Sequence, residues 1–334
     1  MKGIMISGGR PTGKLHLGHY MGAFKQLADL QKEYQTYFVI ADLHMLTTKS
    51  SKEEIASIRE NALNMVIDGI GMGVDPNETT FYLQSNIEEL PYIFTIIQNL
   101  VNTDRVAQTP SLVEMKKHSK MDDMTLGLLA YPVLEAADIF AVGATVAPVG
   151  KDNIDHIDIT RDIVQKINHK YDADFTVPNY LTTENNYVRG LDGSNKMSKS
   201  LDNAIYVRDT DQDIRNKVNK AKWTNDDNNV VIEYLRIFGK EYEKAQQIVV
   251  DYVNGVEVEK AAREELIRVL IDWLEPMRKR MQPYLENKQL AEELLRSGTI
   301  EVCQIVKERC QQLKTQMGMF DLQIKDHQKI KKSR

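Results

Sequence analysis

With 334 residues, 42% of them hydrophobic and 27% charged, the chain is long enough for about two domains and apolar enough to bury a core. Its formal net charge of −5 argues against binding nucleic acid through overall charge. Local basic clusters remain, "RKRM" from Arg278 and "KIKKSR" from Lys329, and either phosphate contact or a solvated surface explains them. No apolar run approaches the roughly 20 residues that span a bilayer, and the first residues lack the long apolar centre of a signal peptide, so a soluble, cytoplasmic protein is expected. The two cysteines, Cys303 and Cys310, stand seven positions apart in a helical pattern. That is about 10.5 Å of rise, too far for a disulfide, and no second Cys/His pair completes a metal site, so no metal ligand is expected.

In chain order, "KGIMIS" (2–7) reads as a strand and "LGHYMGAFKQLADLQKEY" (17–34) as an amphipathic helix. "TYFVIADLHML" (36–46) reads as a second strand, and "SKEEIASIRENALNMVIDGIGMG" (51–73) as a helix begun by a Ser cap. "TTFYLQS" (79–85) is a third strand. Strand, helix, strand, helix, strand predicts a right-handed parallel α/β unit whose ligands bind beyond the carboxyl ends of the strands. From about residue 88 to 143 the pattern is mostly helical and interrupts the strands, as an insertion would. "ATVAPVG" (144–150) and "FTVP" (175–178) read as further strands, with the helix "DNIDHIDITRDIVQKINHKY" (152–171) between them and the glycine-bearing loop "GLDGSNKMSKS" (190–200) after them. Beyond Tyr206 the pattern is almost entirely helical.

Two stretches carry chemistry. In "GGRPTGKLHLGHY" (8–20), His16 and His19 are three apart at the opening of the first helix, where free backbone N–H groups favour anions. Gly18 between them lets a flat ring lie against the backbone, and Gly8, Gly9 and Gly13 permit a tight approach. A plain strand-to-helix turn accounts for the glycines but not for the paired histidines. In "KMSKS" (196–200), Lys196 and Lys199 place two ammonium groups on a Gly/Ser/Asn-rich loop. They suit a polyphosphate and would stabilise charge building on a departing pyrophosphate.

"HLGH" paired with "KMSKS" resembles the two signatures of the class I aminoacyl-tRNA synthetases, which activate an amino acid with ATP. The first signature also occurs in nucleotidyltransferases of related fold. "LLAYPVLEAADIFAVGATVAPVGKDNIDHIDITRD" (128–162) is similar to the tryptophanyl branch, and the likeness runs from about residue 3 through 205, more loosely beyond. It implies a Rossmann-like parallel-sheet activation domain (1–205, with the helical insertion at about 88–143), followed by an all-helical, anticodon-binding domain (206–334).

Within "LEAADIFAV", Asp138 must find a hydrogen-bond donor or suffer desolvation. An indole N–H would be one; a neighbouring backbone N–H or a lysine would be another. Carried over residue by residue, the resemblance places Arg10, Pro11, Thr12, Gly18, His19, Gly150, Lys151, Asp152 and Val188 at ATP-contacting positions, together with the loop Lys196, Met197, Ser198, Lys199 and Ser200. It places Ile6, His44, Ala147 and Val149 around the indole, with Asp138 accepting from its N–H, and Tyr131 and Asn153 near the substrate's ammonium and carboxylate. Three positions depart from many bacterial members: Arg10 and Asn153 stand where those have Gln, and Glu135 where they have an uncharged residue. Glu135 lies one helical turn before Asp138, so two carboxylates share a face at the pocket, raising one pKa or recruiting a cation.

The implied reaction is attack of the L-tryptophan carboxylate on the α-phosphorus of ATP, with Mg²⁺, Lys196 and Lys199 neutralising pyrophosphate and His16 and His19 at the phosphates. Transfer to the 3′ end of tRNA(Trp) follows, in an enzyme expected to be a homodimer joined through the helical insertion, with no DNA or membrane partner. A tyrosine-specific synthetase and a non-catalytic paralogue are the alternatives.

Overall fold

The computed structural model describes residues 2–49, 51–113, 124–150, 153–182, 188–195, 197–198 and 201–320. Five parallel strands build one sheet: β1 (Ile4–Gly9), β2 (Gln35–Ile40), β3 (Thr79–Leu83), β4 (Val146–Val149) and β5 (Asn179–Thr182). Their order is β3-β2-β1-β4-β5. The register is straight, with Ile6 level with Tyr37 and Phe38 level with Phe81.

The strand sequences are apolar on both faces because both faces are covered. Met5, Phe38, Ile40 and Phe81 enter one core cluster, while their alternates Ile6, Tyr37, Val39 and Tyr82 enter a second on the opposite face. Covering the first face is α3 (Lys52–Gly71), which begins with the expected cap: Ser51 Oγ accepts from the Glu54 N–H at 3.2 Å, and the Glu54 carboxylate accepts in return from the Ser51 N–H at 3.3 Å. The second face carries α4 (Leu90–Ile97), α6 (Leu126–Ala141) and α7 (Ile154–Tyr171), with the short α5 (Thr103–Ala107) beside them.

After the sheet come α8 (Asp211–Lys220), α9 (Val230–Phe238), α10 (Glu243–Val253), α11 (Glu259–Glu286) and α12 (Lys288–Gln316). Their apolar faces join the first cluster, which runs from Met5 through α3 to Leu274 and Leu295.

Three expected elements are corrected. The helix over 17–34 is an α turn, α1 (Leu17–His19), then a π turn at Tyr20–Phe24, then α2 (Lys25–Leu30). The wide turn sets Gly22 and Ala23 on the cavity described below. The strand over 36–46 ends at Ile40, and a 3₁₀ turn, Leu43–Thr47, follows because Gln84 Oε1 accepts the Leu43 N–H at 3.0 Å and diverts the chain from the ladder. The strand at 175–178 lies further on, at β5. Asn168 holds Phe175 by both halves of its side-chain amide, and Pro178 has no N–H to give a ladder, so pairing with β4 begins at Asn179.

The edge strand β3 is closed by α12. Thr299 Oγ1 accepts the Leu83 N–H at 3.0 Å, and a Cβ on Gly298 would lie 2.1 Å from the Phe81 carbonyl oxygen. Only a glycine lets the helix backbone approach a strand so closely. Gly298→Ala is therefore expected to cost about 1–3 kcal/mol of stability through overpacking against backbone. Gly127→Ala in α6, where nothing lies within 4 Å, is expected to be neutral or to add up to about 1 kcal/mol. Urea-denaturation midpoints of the two variants against the parent check both.

Candidate functional site

Strand order reverses between β1 and β4, the switch point at which open α/β sheets bind their ligands. A cavity of about 420 Å³ opens there, beyond the carboxyl ends of both strands. Its apolar wall includes Ile6, Val39, Ala41, Ile139, Ala147 and Val149, and its polar residues include Arg10, His44, Ser111, Tyr131, Glu135, Asp138, Asn153 and His156. Ile6, Arg10, His44, Tyr131, Glu135, Asp138, Ala147, Val149, Gly150 and Asn153 are thus brought together from across the first half of the chain. Pro11 and Thr12 form the turn after β1, where Thr12 donates its N–H to the Arg10 carbonyl at 2.7 Å and Gly13 takes a φ of +101°. Lys151, Asp152, Lys196, Lys199 and Ser200 lie outside the described residues.

The histidine turn meets the segment that follows the lysine loop through the backbone. Leu17 donates its N–H to the Ile205 carbonyl at 2.9 Å, Val207 donates to the Leu15 carbonyl at 3.1 Å, and His16 bridges Tyr206 in antiparallel fashion. Asp68, buried on α3, accepts from the Leu15 N–H at 3.4 Å and from the Arg208 guanidinium. The rings of His16 and His19 lie side by side, centroids 3.8 Å apart, and His19 Nδ1 accepts the His16 N–H at 3.1 Å. That bond places the proton of a neutral His19 ring on Nε2.

Gly18 leaves room for the His16 ring, 3.0 Å from where a Cβ would sit, with Met197 Sδ 3.7 Å away. Ser198 donates its N–H to Asn203 Oδ1 at 2.7 Å, and Asn203 Nδ2 donates to Asp192 and to Ser194, so one buried amide organises the loop that carries the second signature. Val188 is buried in the first core cluster, away from the cavity lining.

Asp138 is held by one oxygen and open at the other. Its Oδ2 accepts from Gln84 Nε2 at 2.7 Å and lies 3.3 Å from His44 Nε2. Oδ1 is buried and has no partner among the described residues. Because Gln84 Oε1 already accepts the Leu43 N–H, the Gln84 amide can only donate toward Asp138. Burial holds the Asp138 carboxyl above the usual aspartate range, against the opposing pull of His44 and Gln84.

Glu135 behaves in the opposite way. Burial would raise its pKa too, but the charge and hydrogen bond of His156, whose Nδ1 lies 2.7 Å from Glu135 Oε2, bring it below the usual range. The group that stands beside the second carboxylate is therefore His156. On the far side of that ring, Nε2 lies 2.6 Å from Ser111 Oγ, which lies 2.8 Å from the Tyr131 hydroxyl. Arg10 bonds Thr48 Oγ1, and its buried Nε has no partner among the described residues.

Gln84, Ser111 and His156 escaped the sequence reading. The signal for Gln84 was a lone amide ending an apolar strand at the carboxyl edge of the sheet. For His156 it was a single imidazole on the apolar face of "NIDHIDI".

A profile of the family described as tRNA synthetases class I (W and Y) matches residues 2–270. The chain is 36% identical over 327 residues to the tryptophan–tRNA ligase of Chlamydia caviae, covering 92% of this chain and 94% of that one. It is 34% identical to the tryptophan–tRNA ligase of Borreliella burgdorferi, covering 95% and 93%. Among solved structures, the tryptophanyl-tRNA synthetase of Campylobacter jejuni complexed with ADP and tryptophan superposes with a TM-score of 0.83 at 26% identity, covering 95% of this chain and all of that one. With the first signature bonded to the chain that follows the second, and relatives of this identity matched along almost their whole length, the chain belongs to the class I aminoacyl-tRNA synthetases of tryptophan and tyrosine, in the tryptophan–tRNA ligase branch.

Proposed function

We propose that the cavity binds L-tryptophan with its indole N–H on Asp138 Oδ1 and that ATP lies between the histidine turn and the lysine loop. The single observation behind this is the half-used carboxylate: a buried acceptor with no partner among the described residues, in a cavity with an apolar wall, fits a flat apolar ring carrying one N–H donor. Phenylalanine has no such donor, and the tyrosine hydroxyl sits elsewhere on its ring. Arg10, Pro11, Thr12, Gly18, Gly150, Lys151, Asp152, Val188 and the loop from Lys196 to Ser200 are assigned to ATP. Tyr131, Glu135 and Asn153 are assigned to the amino-acid backbone of the substrate, and Ile6, His44, Ala147 and Val149 to the indole.

In this reaction a tryptophan carboxylate oxygen attacks the α-phosphorus in line, the bond to the bridging oxygen breaks, and pyrophosphate leaves with the electron pair. Positioning and electrostatics carry the step. His19, with Nδ1 occupied by the His16 N–H, offers its Nε2 proton to the phosphates; Lys196 and Lys199 meet the charge that grows on pyrophosphate. Mg²⁺ belongs here as a companion of the ATP phosphates, whose charge it partly neutralises, since no described cluster of three or more His, Cys, Asp or Glu side chains offers it a site. The 3′-terminal adenosine of tRNA(Trp) then attacks the adenylate carbonyl and AMP departs.

We assign the helices after Tyr206 to the anticodon end of the tRNA and 1–205 to activation. We also assign the protein to the cytoplasm and to a homodimer through the insertion, which exposes Tyr92, Val113 and Leu126. Among the described residues no helix is long and apolar enough to cross a membrane.

Asp138→Asn puts an amide donor or a weaker acceptor where the carboxylate stood. Tryptophan-dependent pyrophosphate exchange is expected to fall by about 10²- to 10⁴-fold in kcat/KM with ATP affinity little changed. Exchange with tyrosine, run beside it, would assign the cavity to the other amino acid if the parent preferred it. The same variant tests the cost of the site. A carboxyl whose folded pKa is raised adds stability only below the ordinary aspartate range and loses it as pH rises through the raised value. Ligand-free Asp138→Asn is therefore expected to match or exceed the parent Tm at pH 7, with the gap closing as the pH falls.

Lys199→Ala is expected to slow adenylate formation by about 10²- to 10³-fold in single turnovers while leaving ATP affinity within a few-fold. Weakened ATP binding with an unchanged rate would move this lysine to ground-state binding.

A further inference from the structure

Ser111, Tyr131, Glu135 and His156 form one hydrogen-bonded chain on the cavity wall, from Tyr131 through Ser111 to His156 Nε2 and from His156 Nδ1 to Glu135. The His156 side chain is only 3% exposed, with Ser111 and, at 3.4 Å, the Tyr131 hydroxyl against Nε2 and Glu135 against Nδ1. With the ring neutral and protonated on Nδ1, Nε2 only accepts, and the two hydroxyls turn their protons toward it. Tyr131 donates to Ser111, Ser111 donates to Nε2, and Nδ1–H donates to Glu135. Tyr131 then turns only lone pairs to the cavity, and Glu135 keeps an uncompensated negative charge. Adding a proton to the ring reverses the order: Nε2–H donates to Ser111, Ser111 donates to Tyr131, and the phenolic hydrogen is pushed toward the cavity. The ring's charge then also cancels that of Glu135.

We infer that Ser111 and His156 are positioning residues for the substrate's α-ammonium, which Tyr131 and Glu135 accept together when His156 is neutral and release when it is protonated. The inference rests on the cavity being the tryptophan site. An ammonium has donors only, so it fits the first proton order and opposes the second. Binding the ammonium and protonating His156 are thereby mutually exclusive in degree, each disfavouring the other by the same factor.

The charged and titratable groups packed around this ring among the described residues are Tyr131 and Glu135 from α6, His44 from the 3₁₀ turn with Asp138 beyond it, and Arg10 after β1, whose charge acts on Tyr131. Arg10 keeps its charge throughout, Glu135 stays ionised, and burial holds the Tyr131 hydroxyl above its ordinary range. His44 with Asp138 is the second histidine–carboxylate pair on the cavity wall, and it faces the proposed indole position rather than the amino group. Two ligands with the same indole therefore separate the two pairs.

The test is calorimetric binding of L-tryptophan and of indole-3-propanoate, which keeps the ring and carboxylate but lacks the ammonium, to the intact protein between about pH 5 and 7. The ammonium keeps its charge throughout, and the propanoate carboxylate gains a proton only toward the lower end, where weaker propanoate binding would oppose the expected trend. The preference for L-tryptophan over indole-3-propanoate is expected to fall about tenfold from the upper to the lower end of that range, as the ring gains its proton. His156→Asn places an amide donor near the position of Nδ1 without a titrating ring, so its preference is expected to be flat with pH. Ser111→Ala is expected to lower the preference at pH 7 while changing indole-3-propanoate affinity less than about twofold. A parent preference that does not vary with pH overturns the inference, whatever the variants do. So does a slope retained in His156→Asn, or a Ser111→Ala variant that weakens both ligands equally. If neither ligand binds the parent, the assignment of the cavity to tryptophan falls, a result distinct from binding without pH-dependent preference.

Discussion

Residues 15–17 and 205–207 are far apart in sequence, and the geometry around the histidine turn depends on the backbone bonds that lace them. The bonds Leu17 N–H to Ile205 and Val207 N–H to Leu15 contribute about 1 kcal/mol each, too little to hold two loops in register alone. Asp68 makes the contact stable. Its buried carboxylate satisfies both the Leu15 N–H and the Arg208 guanidinium, and removing it would leave the Leu15 N–H without that acceptor and Arg208 held, among the described residues, by Asn64 alone. The histidine turn and the segment at 205–208 are thus fastened to a helix of the sheet's own core, so their relative position is set by the fold.

Inside the cavity, two carboxylates one helical turn apart are given opposite characters by what touches them. Asp138 is buried against an amide and an imidazole that share one of its oxygens, and its carboxyl rises; Glu135 is paired end-on with His156, and its carboxyl falls. The same side-chain chemistry on one face of α6 yields one carboxyl that burial drives toward its neutral form and one that its partner holds as an anion. Arg10, charged and half-satisfied, supplies the opposite sign across the same space.

Much of this was readable in the residues. Strands buried on both faces announce themselves as apolar runs, and "GIMIS", "TYFVI" and "TTFYL" all lie in the sheet. The cap at Ser51 and the HxGH turn are local patterns with local causes, so they fold as written. The errors arose where tertiary bonds outvoted local preference. "FTVP" is β-branched but ends in a residue that cannot join a ladder, and "ADLHML" continues an apolar run that a single amide, Gln84, turns out of the sheet. Gln84, Ser111 and His156 were invisible for a related reason. Each acts by a hydrogen bond to a residue 20 or more positions away, and no spacing rule reports that. Met197 and Gly18, by contrast, were flagged through their motifs, and their packing against each other is what the motifs share.

The seal that α12 places on β3 has a consequence in time. The Leu83 amide and its partner Thr299 are separated by 216 residues. At a synthesis rate of about 5–20 residues per second, the ribosome needs roughly 10–40 s to deliver that partner after the strand has emerged. Throughout that interval the nascent α/β unit carries an open sheet edge, the element most prone to pair with another chain. The last helix is therefore a closing step of biogenesis as well as a wall of the finished molecule, and a chain stalled before it would be released with its most adhesive surface uncovered.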